Sequence, residues 1–261
     1  MSLNLSVLLQ DTRQLAYEAG QLALSHFRRP ATDLDLQWKA DGSPVTAADA
    51  AVEAFLRQVL QARYPEHGIL GEEEGLQTGR SDWLWILDPI DGTRSFARGI
   101  PIFGVQLALC FRREPVLGVI DLPALGEQIA AAEGLGCFWN GERCRVSDED
   151  RLSHSLIHLH EQALARQQCP EIDGLLARAQ LERNWGDCYS FVLAATGRAE
   201  AALDPRMQVW DSAPLPVLMR EAGGVFLSWQ GGSSIWDHSV ACMNPAMARR
   251  LKPLFKAGSV L

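Results

Sequence analysis

Paired cysteines are missing from this chain: its six, Cys110, Cys137, Cys144, Cys169, Cys188 and Cys242, include no C-x-x-C. Thiols scattered in this way are expected to stay reduced rather than bind zinc or form a disulfide framework. The N-terminus has neither a basic stretch nor an apolar stretch of the kind that directs secretion, so a cytoplasmic location is expected. No apolar run approaches the ~20 residues of a membrane-crossing helix, and no membrane partner is expected. Positive charge is sparse and dispersed. Lys and Arg total 24 against 32 Asp and Glu, a net charge of −8, which argues against a nucleic-acid partner. Also absent are H-E-x-x-H, G-x-S-x-G and G-x-x-x-x-G-K-[ST], removing the zinc-protease, serine-hydrolase and P-loop readings. There is no internal repeat and no low-complexity segment. An acidic chain handling an anionic substrate needs local positive charge, and a bound metal can supply it.

Apolar residues are plentiful. At 261 residues and 47% hydrophobic content, the chain can build a sizeable core, expected as two sub-domains, 1–150 and 151–261, sharing one site. Leu8, Leu15, Ala19, Leu22 and Phe27 fall at helical spacing, predicting a helix over 5–28 that Pro30 helps to end. Residues 30–45 read as a loop or short hairpin, in which Lys39 is either solvated or a phosphate contact. Thr46 and Asp49 form a capping-box pattern before Val52, Phe55, Leu56, Val59 and Leu60, and Asp49 reads as structural. Tyr64-Pro65 closes that helix. A short strand at 68–71 leads into Glu72, Glu73 and Glu74, either a solvated run or the source of one metal ligand. From 102 to 146 the pattern predicts an antiparallel sheet with a type I′ turn at Asn140-Gly141. Near residue 150 it changes: a strand at 155–159 precedes segments at 172–181, 189–196 and 201–203 that alternate helix and strand, and a closing helix covers 244–255.

Chemistry concentrates in WILDPIDGTRSF, Trp85 to Phe96. An apolar strand runs into Asp88, Pro89, Ile90, Asp91, Gly92 and Thr93. Pro89 is expected to stop the strand, so that Asp88 and Asp91 need not point to opposite faces. Two turn aspartates are ordinary; two converging carboxylates repel unless a cation lies between them. A second such stretch is VWDSAPLPVLMREAGG, where Asp211 reads either as a helix N-cap or as a further ligand. Glu72, Asp88, Asp91 and Asp211 are the oxygen donors a hard cation such as magnesium prefers. Metal-assisted hydrolysis of a phosphate ester is the chemistry left standing.

These motifs, GEE (Gly71 to Glu73), DPIDGT (Asp88 to Thr93) and WDSAPLPVLMREAGG (Trp210 to Gly224), resemble in order and spacing those of the inositol monophosphatase family of magnesium-dependent, lithium-sensitive phosphatases. Periodicity alone predicts mixed α and β, α+β in the first half and α/β in the second. The resemblance implies an α/β fold of layered αβαβα sandwich type, commonly a homodimer, with two or three Mg2+ ions per site. It also implies roles: Glu72 binds metal and, with Thr93, handles the attacking water. Asp88 bridges two metals, Ile90 offers its carbonyl, and Asp91 and Asp211 complete the ligands. The amides of Gly92 and Thr93 cradle phosphate.

Within that family the substrates are small phosphate monoesters: inositol phosphates, histidinol phosphate, nucleotide 3′-phosphates and sugar bisphosphates. Arg94-Ser95-Phe96 and GDCYSF (Gly186 to Phe191) are similar to the histidinol-phosphatase branch, so histidinol phosphate is the first expectation and inositol 1-phosphate the second. Asp187 reads either as a helix N-cap or as the anion that meets the substrate's ammonium group. Asp204 falls where inositol phosphatases place a glutamate that grips sugar hydroxyls. A regulatory binding protein that retains the fold is the rival from another class.

Overall fold

In the computed structural model, residues 4–28, 37–38 and 44–255 are described; Pro30 and Lys39 lie outside the described residues. The chain begins with α1 (Leu5–His26), capped by Asn4, whose Oδ1 accepts from Ser6 N at 3.1 Å. A two-strand ladder of β1 (Gln37–Trp38) and β2 (Pro44–Val45) leads to α2 (Ala47–Arg63). Next come β3 (Gly68–Gly71), β4 (Gly75–Gln77), β5 (Trp83–Asp91), α3 (Thr93–Ala97), β6 (Gly104–Phe111), β7 (Glu114–Leu122), β8 (Glu127–Ala132), β9 (Gly136–Trp139) and β10 (Glu142–Cys144). These strands form one sheet in the order β10-β9-β8-β7-β6-β5-β3-β4. Asn140 and Gly141 join β9 to β10 with φ of 50° and 89°, the left-handed pair that a type I′ turn requires.

The second half supplies β11 (Leu156–Leu159), α4 (Gln162–Gln168), α5 (Ile172–Leu176), β12 (Leu181–Arg183), α6 (Asp187–Ala195), β13 (Ala201–Asp204), α7 (Val209–Ser212), α8 (Leu215–Glu221), β14 (Val225–Leu227), β15 (Val240–Met243) and α9 (Pro245–Leu251). Its sheet runs β12-β11-β13-β15-β14. The helix expected over 172–181 stops at Leu176. Leu181 instead pairs with Leu156 as an edge strand, and the ladder outweighs the apolar spacing that had extended the helix. Helix α4 had no sequence signal because Ala165 is its one fully buried residue.

Layering follows from strand alternation, since successive side chains leave a strand on opposite faces. Trp85 and Leu87 of β5 and Val105, Leu107 and Leu109 of β6 pack outward against Leu8, Leu15 and Ala19 of α1 and Val52, Leu56 and Leu60 of α2. Ile86, Ala108 and Cys110 face inward, onto Phe191 and Val192 of α6 and Leu215 and Leu218 of α8. That same inner core includes Ala202, Phe226 and Cys242 from the second sheet. The far face of the second sheet, with Ile157, Leu159, Leu203 and Met243, is covered by Ala165, Ile172, Met247 and Leu251. Helices, sheet, helices, sheet and helices therefore stack as an αβαβα sandwich.

Candidate active site and metal centre

Strand β5 does not end at Pro89. It continues to Asp91, and its pairing with β6 shifts register between Asp88 and Asp91. Such a bulge changes alternation parity. Ile86 faces the inner core, so Asp88 does too, but Ile90 lies in the outer core where strict alternation would have put it inward. The parity change returns Asp91 to the inner side beside Asp88. The expected convergence is present, and its cause is the bulge rather than an early strand end.

The third carboxylate comes from the middle layer. Asp211 is not an N-cap: Gln208 holds that position, and Asp211 Oδ2 reaches back to accept from Gln208 N at 2.9 Å. One oxygen of each of Asp88, Asp91 and Asp211 lies within 4.8 Å of the others. Burial pushes the Asp88 carboxyl well up, with the negative charges of Glu72, Asp91 and Asp211 adding to it. Burial and the charge of Asp187 do the same for Asp91, and burial raises Asp211 to about 7. Asp88 Oδ1 is buried with no hydrogen-bond partner among the described residues. An orphaned buried oxygen in an all-carboxylate group fits a hard divalent cation, which takes oxygen ligands and offsets the repulsion.

Glu72 lies in the turn between β3 and β4, outside the tight triangle, yet its charge reaches Asp88 and Asp211. Thr93 opens α3, and its Oγ1 lies 3.0 Å from the carbonyl of Ile90 and 3.2 Å from Asp49 Oδ1. Asp49 closes the expected capping box, accepting from Thr46 N at 2.8 Å, but it also faces the site. Its carboxyl is raised to about 6, chiefly by burial. The capping pattern explained Asp49 so fully that no sequence signal pointed to its second contact, which joins residues 44 positions apart.

Asp187 is not a cap either. Gly186 stands before the helix, and Asp187 itself has φ 52° and makes no side-chain bond to the helix amides. Instead Ser95 Oγ donates to its Oδ2 at 3.3 Å. Gly92, with φ 89°, leaves room for that carboxylate: a Cβ at 92 would come 2.9 Å from Asp187 Oδ2. Cys188 N, next along α6, donates to Asp91 Oδ2. Behind Asp187, the Oγ of Ser190 is 3.1 Å from the Asp187 carbonyl and 2.7 Å from His160 Nε2. His160 Nδ1 lies 3.2 Å from Asp204 Oδ2. His160, Ser190 and Asp204 are buried, and Asp204 Oδ1 accepts from Arg206 N at 2.9 Å. Sequence reading found Asp187 and Asp204 but not the His160 and Ser190 that link them.

No helix among the described residues is long and apolar enough to cross a membrane. The inositol monophosphatase family model matches residues 4–257. A histidinol-phosphatase of Chlorobaculum parvum is 41% identical over 246 residues, spanning 93% of this chain and 94% of that protein. A histidinol-phosphatase of Mycobacterium tuberculosis is 39% identical over 245 residues, spanning 90% and 93%. Among solved structures, the extragenic suppressor protein suhB of Bartonella henselae superposes with a TM-score of 0.88 at 29% identity, over 97% of this chain and 99% of that one. With three carboxylates gathered on the DPIDGT and WDSAP segments inside this sandwich, the chain belongs to the inositol monophosphatase family of phosphoric monoester hydrolases, which are generally magnesium-dependent.

Proposed function

We propose that this chain hydrolyses histidinol phosphate, with two or three magnesium ions held by Glu72, Asp88, Asp91, Asp211 and the carbonyl of Ile90. Bound magnesium supplies charge to polarise the phosphoryl oxygens and to acidify the attacking water. The chain's own residues do the rest. Thr93, with its hydroxyl proton directed to Asp49 or to the Ile90 carbonyl, presents lone pairs that accept a hydrogen bond from the attacking water, and Glu72 is the base that takes the water's proton. The amides of Gly92 and Thr93 receive the phosphate. A homodimer in the cytoplasm, with sub-domains 1–150 and 151–261, belongs to the same reading.

Substrate choice rests on one observation, the Asp187 carboxylate seated against Gly92 and Ser95 beside the acidic triangle. Histidinol phosphate carries an ammonium group and an imidazole, whereas inositol phosphate offers hydroxyls. Burial pushes the Asp187 carboxyl up, and an ammonium docked beside it would restore its charge, contributing roughly 1.5–3 kcal/mol. Asp204 favours the alternative less than its position suggested, because one oxygen faces His160 and the other accepts from Arg206 N. The names of the two relatives point the same way.

Asp187→Asn removes the charge and keeps an acceptor for Ser95. It is expected to lower kcat/KM for histidinol phosphate at least about tenfold, the factor that corresponds to ~1.4 kcal/mol, while inositol 1-phosphate hydrolysis and Tm stay nearly unchanged. A phosphate-release panel of histidinol phosphate, inositol 1-phosphate, adenosine 3′,5′-bisphosphate and fructose 1,6-bisphosphate provides the comparison. Equal losses on the first two, or none, would transfer the assignment to inositol 1-phosphate.

A further inference from the structure

Helix α2 buries a charged pair that its apolar stripe does not call for. Glu53 is fully buried and Arg57, one turn later, nearly so, with Arg57 Nε 2.8 Å from Glu53 Oε1. A buried ion pair costs desolvation that a pair of apolar residues would avoid, so its presence asks for a use. The remaining bonds of the pair supply one. Glu53 Oε2 accepts from Glu73 N at 2.8 Å, and Glu53 Oε1 accepts from Glu74 N at 3.0 Å. Arg57 Nη2 donates to the carbonyl of Gly75 at 2.5 Å. Two side chains of one helix thus hold the last two residues of the turn that begins at Glu72 and the first residue of β4.

Strand parity aims the turn. Ile69 of β3 lies in the outer core and Leu70 packs on the inner one, so Gly71, the last residue of the strand, faces α2, and Glu72 follows it at the start of the turn. Gly71 is required on the α2 side: a Cβ there would overlap the Glu53 carboxylate. On the other side, the charge of Glu72 reaches Asp88 and Asp211.

We infer that Glu53 and Arg57 are positioning residues: by clamping the backbone of Glu73, Glu74 and Gly75 they set the place of the Glu72 carboxylate relative to Asp88 and Asp211. They act through that backbone and are not members of the acidic triangle. A partner of this kind matters because groups that orient a metal ligand change metal affinity or activity by about 10–100-fold when lost. The inference rests on the metal-site reading and is independent of which ester is cleaved.

The test is Glu53→Gln in the full-length chain, which removes the charge and replaces one acceptor with a donor facing an amide. Magnesium uptake by chelator-treated protein is followed by calorimetry, and kcat and KM are measured at saturating magnesium with histidinol phosphate and with inositol 1-phosphate. Magnesium affinity and kcat are expected to fall about 10–100-fold, with KM changed by less than about threefold, since losing an interaction made only in the transition state lowers kcat and kcat/KM together and leaves KM nearly alone. Leu251→Ala, in the far core beneath the second sheet, serves as the destabilised comparison and is expected to lower Tm without changing magnesium affinity or kcat. Arg57→Lys keeps the charge but loses the forked reach to Gly75; it is expected to give the same pattern, weaker, and decides the matter if Glu53→Gln does not fold. Magnesium affinity and kcat within twofold of wild type in both variants, or equal losses in Leu251→Ala, would overturn the inference. Wild-type protein that takes up no magnesium would instead remove the metal-site reading itself.

Discussion

Free of metal, Asp88, Asp91 and Asp211 all resist ionisation, burial being the largest cause for each and negative neighbours adding to it. Their folded pKa values lie above the unfolded ones. The unfolded chain therefore gives up protons first as pH rises, and the stability that these groups contribute is present below the ordinary value of 3.8 and lost by about 7 for Asp211. Magnesium requires the ionised ligands, so its stabilisation should grow over the same interval. His158, lowered to about 4 by burial, works in the opposite sense: its contribution is present above the ordinary histidine value and lost as pH falls. It acts with or without magnesium, so the difference between chelated and magnesium-loaded melting curves isolates the carboxylates. We expect the magnesium-induced rise in Tm to be clearly larger at about pH 8 than at about pH 5; a rise independent of pH would count against these three aspartates as the ligands.

The turn between β5 and α3 shows how an element can carry specificity. Gly92 has φ 89°, a region costing a residue with a Cβ roughly 1–3 kcal/mol. A Cβ there would also meet Asp187 Oδ2 at 2.9 Å and the Ile102 carbonyl at 3.1 Å. Gly92→Ala should lower Tm, at about 2–4 °C for each kcal/mol in a chain of this size. Because the Asp187 carboxylate must retreat, kcat/KM for histidinol phosphate should fall further than that for inositol 1-phosphate. Parallel kinetics on the two esters check it: an alanine variant with unchanged discrimination would detach Gly92 from substrate choice. The turn itself was legible from Gly92, although the strand runs on through Pro89 to Asp91. The contact with α6 was not, because Gly92 and Asp187 are 95 positions apart and meet only when α6 packs on β6 and β7.

Across the whole molecule, the inner core belongs to both halves: Ile86, Ala108 and Ile120 of the first sheet share it with Phe191, Leu218, Phe226 and Cys242 of the second half. Separating the halves would expose that apolar layer, which burial of roughly 25 cal/mol per Å² makes costly. The two proposed sub-domains should therefore unfold together, in one transition seen alike by far-UV circular dichroism and tryptophan fluorescence. Two resolved transitions would show instead that each half has a sufficient core of its own.

The local grammar of the chain determined much of this by itself. The capping box at Thr46 and Asp49, the Asn140-Gly141 turn, the antiparallel run after residue 102 and the acidic motifs at Asp88, Asp91 and Asp211 are readable because each depends on neighbours within a few residues. The resemblance of those motifs to a known family supplied the layering that periodicity left open. Tertiary structure alone decided what crosses the chain: Asp49 against Thr93, Asp187 against Gly92 and Ser95, His160 between Ser190 and Asp204, and Glu53 on the amides of Glu73 and Glu74. It also set aside the N-cap alternative at Asp187 and Asp211, where Gly186 and Gln208 hold the cap positions. The physical reason is the same throughout. Periodicity reports which face of an element is apolar, whereas the partner of a buried polar side chain is fixed by how layers stack, and nothing in the spacing of one segment records the residues of another.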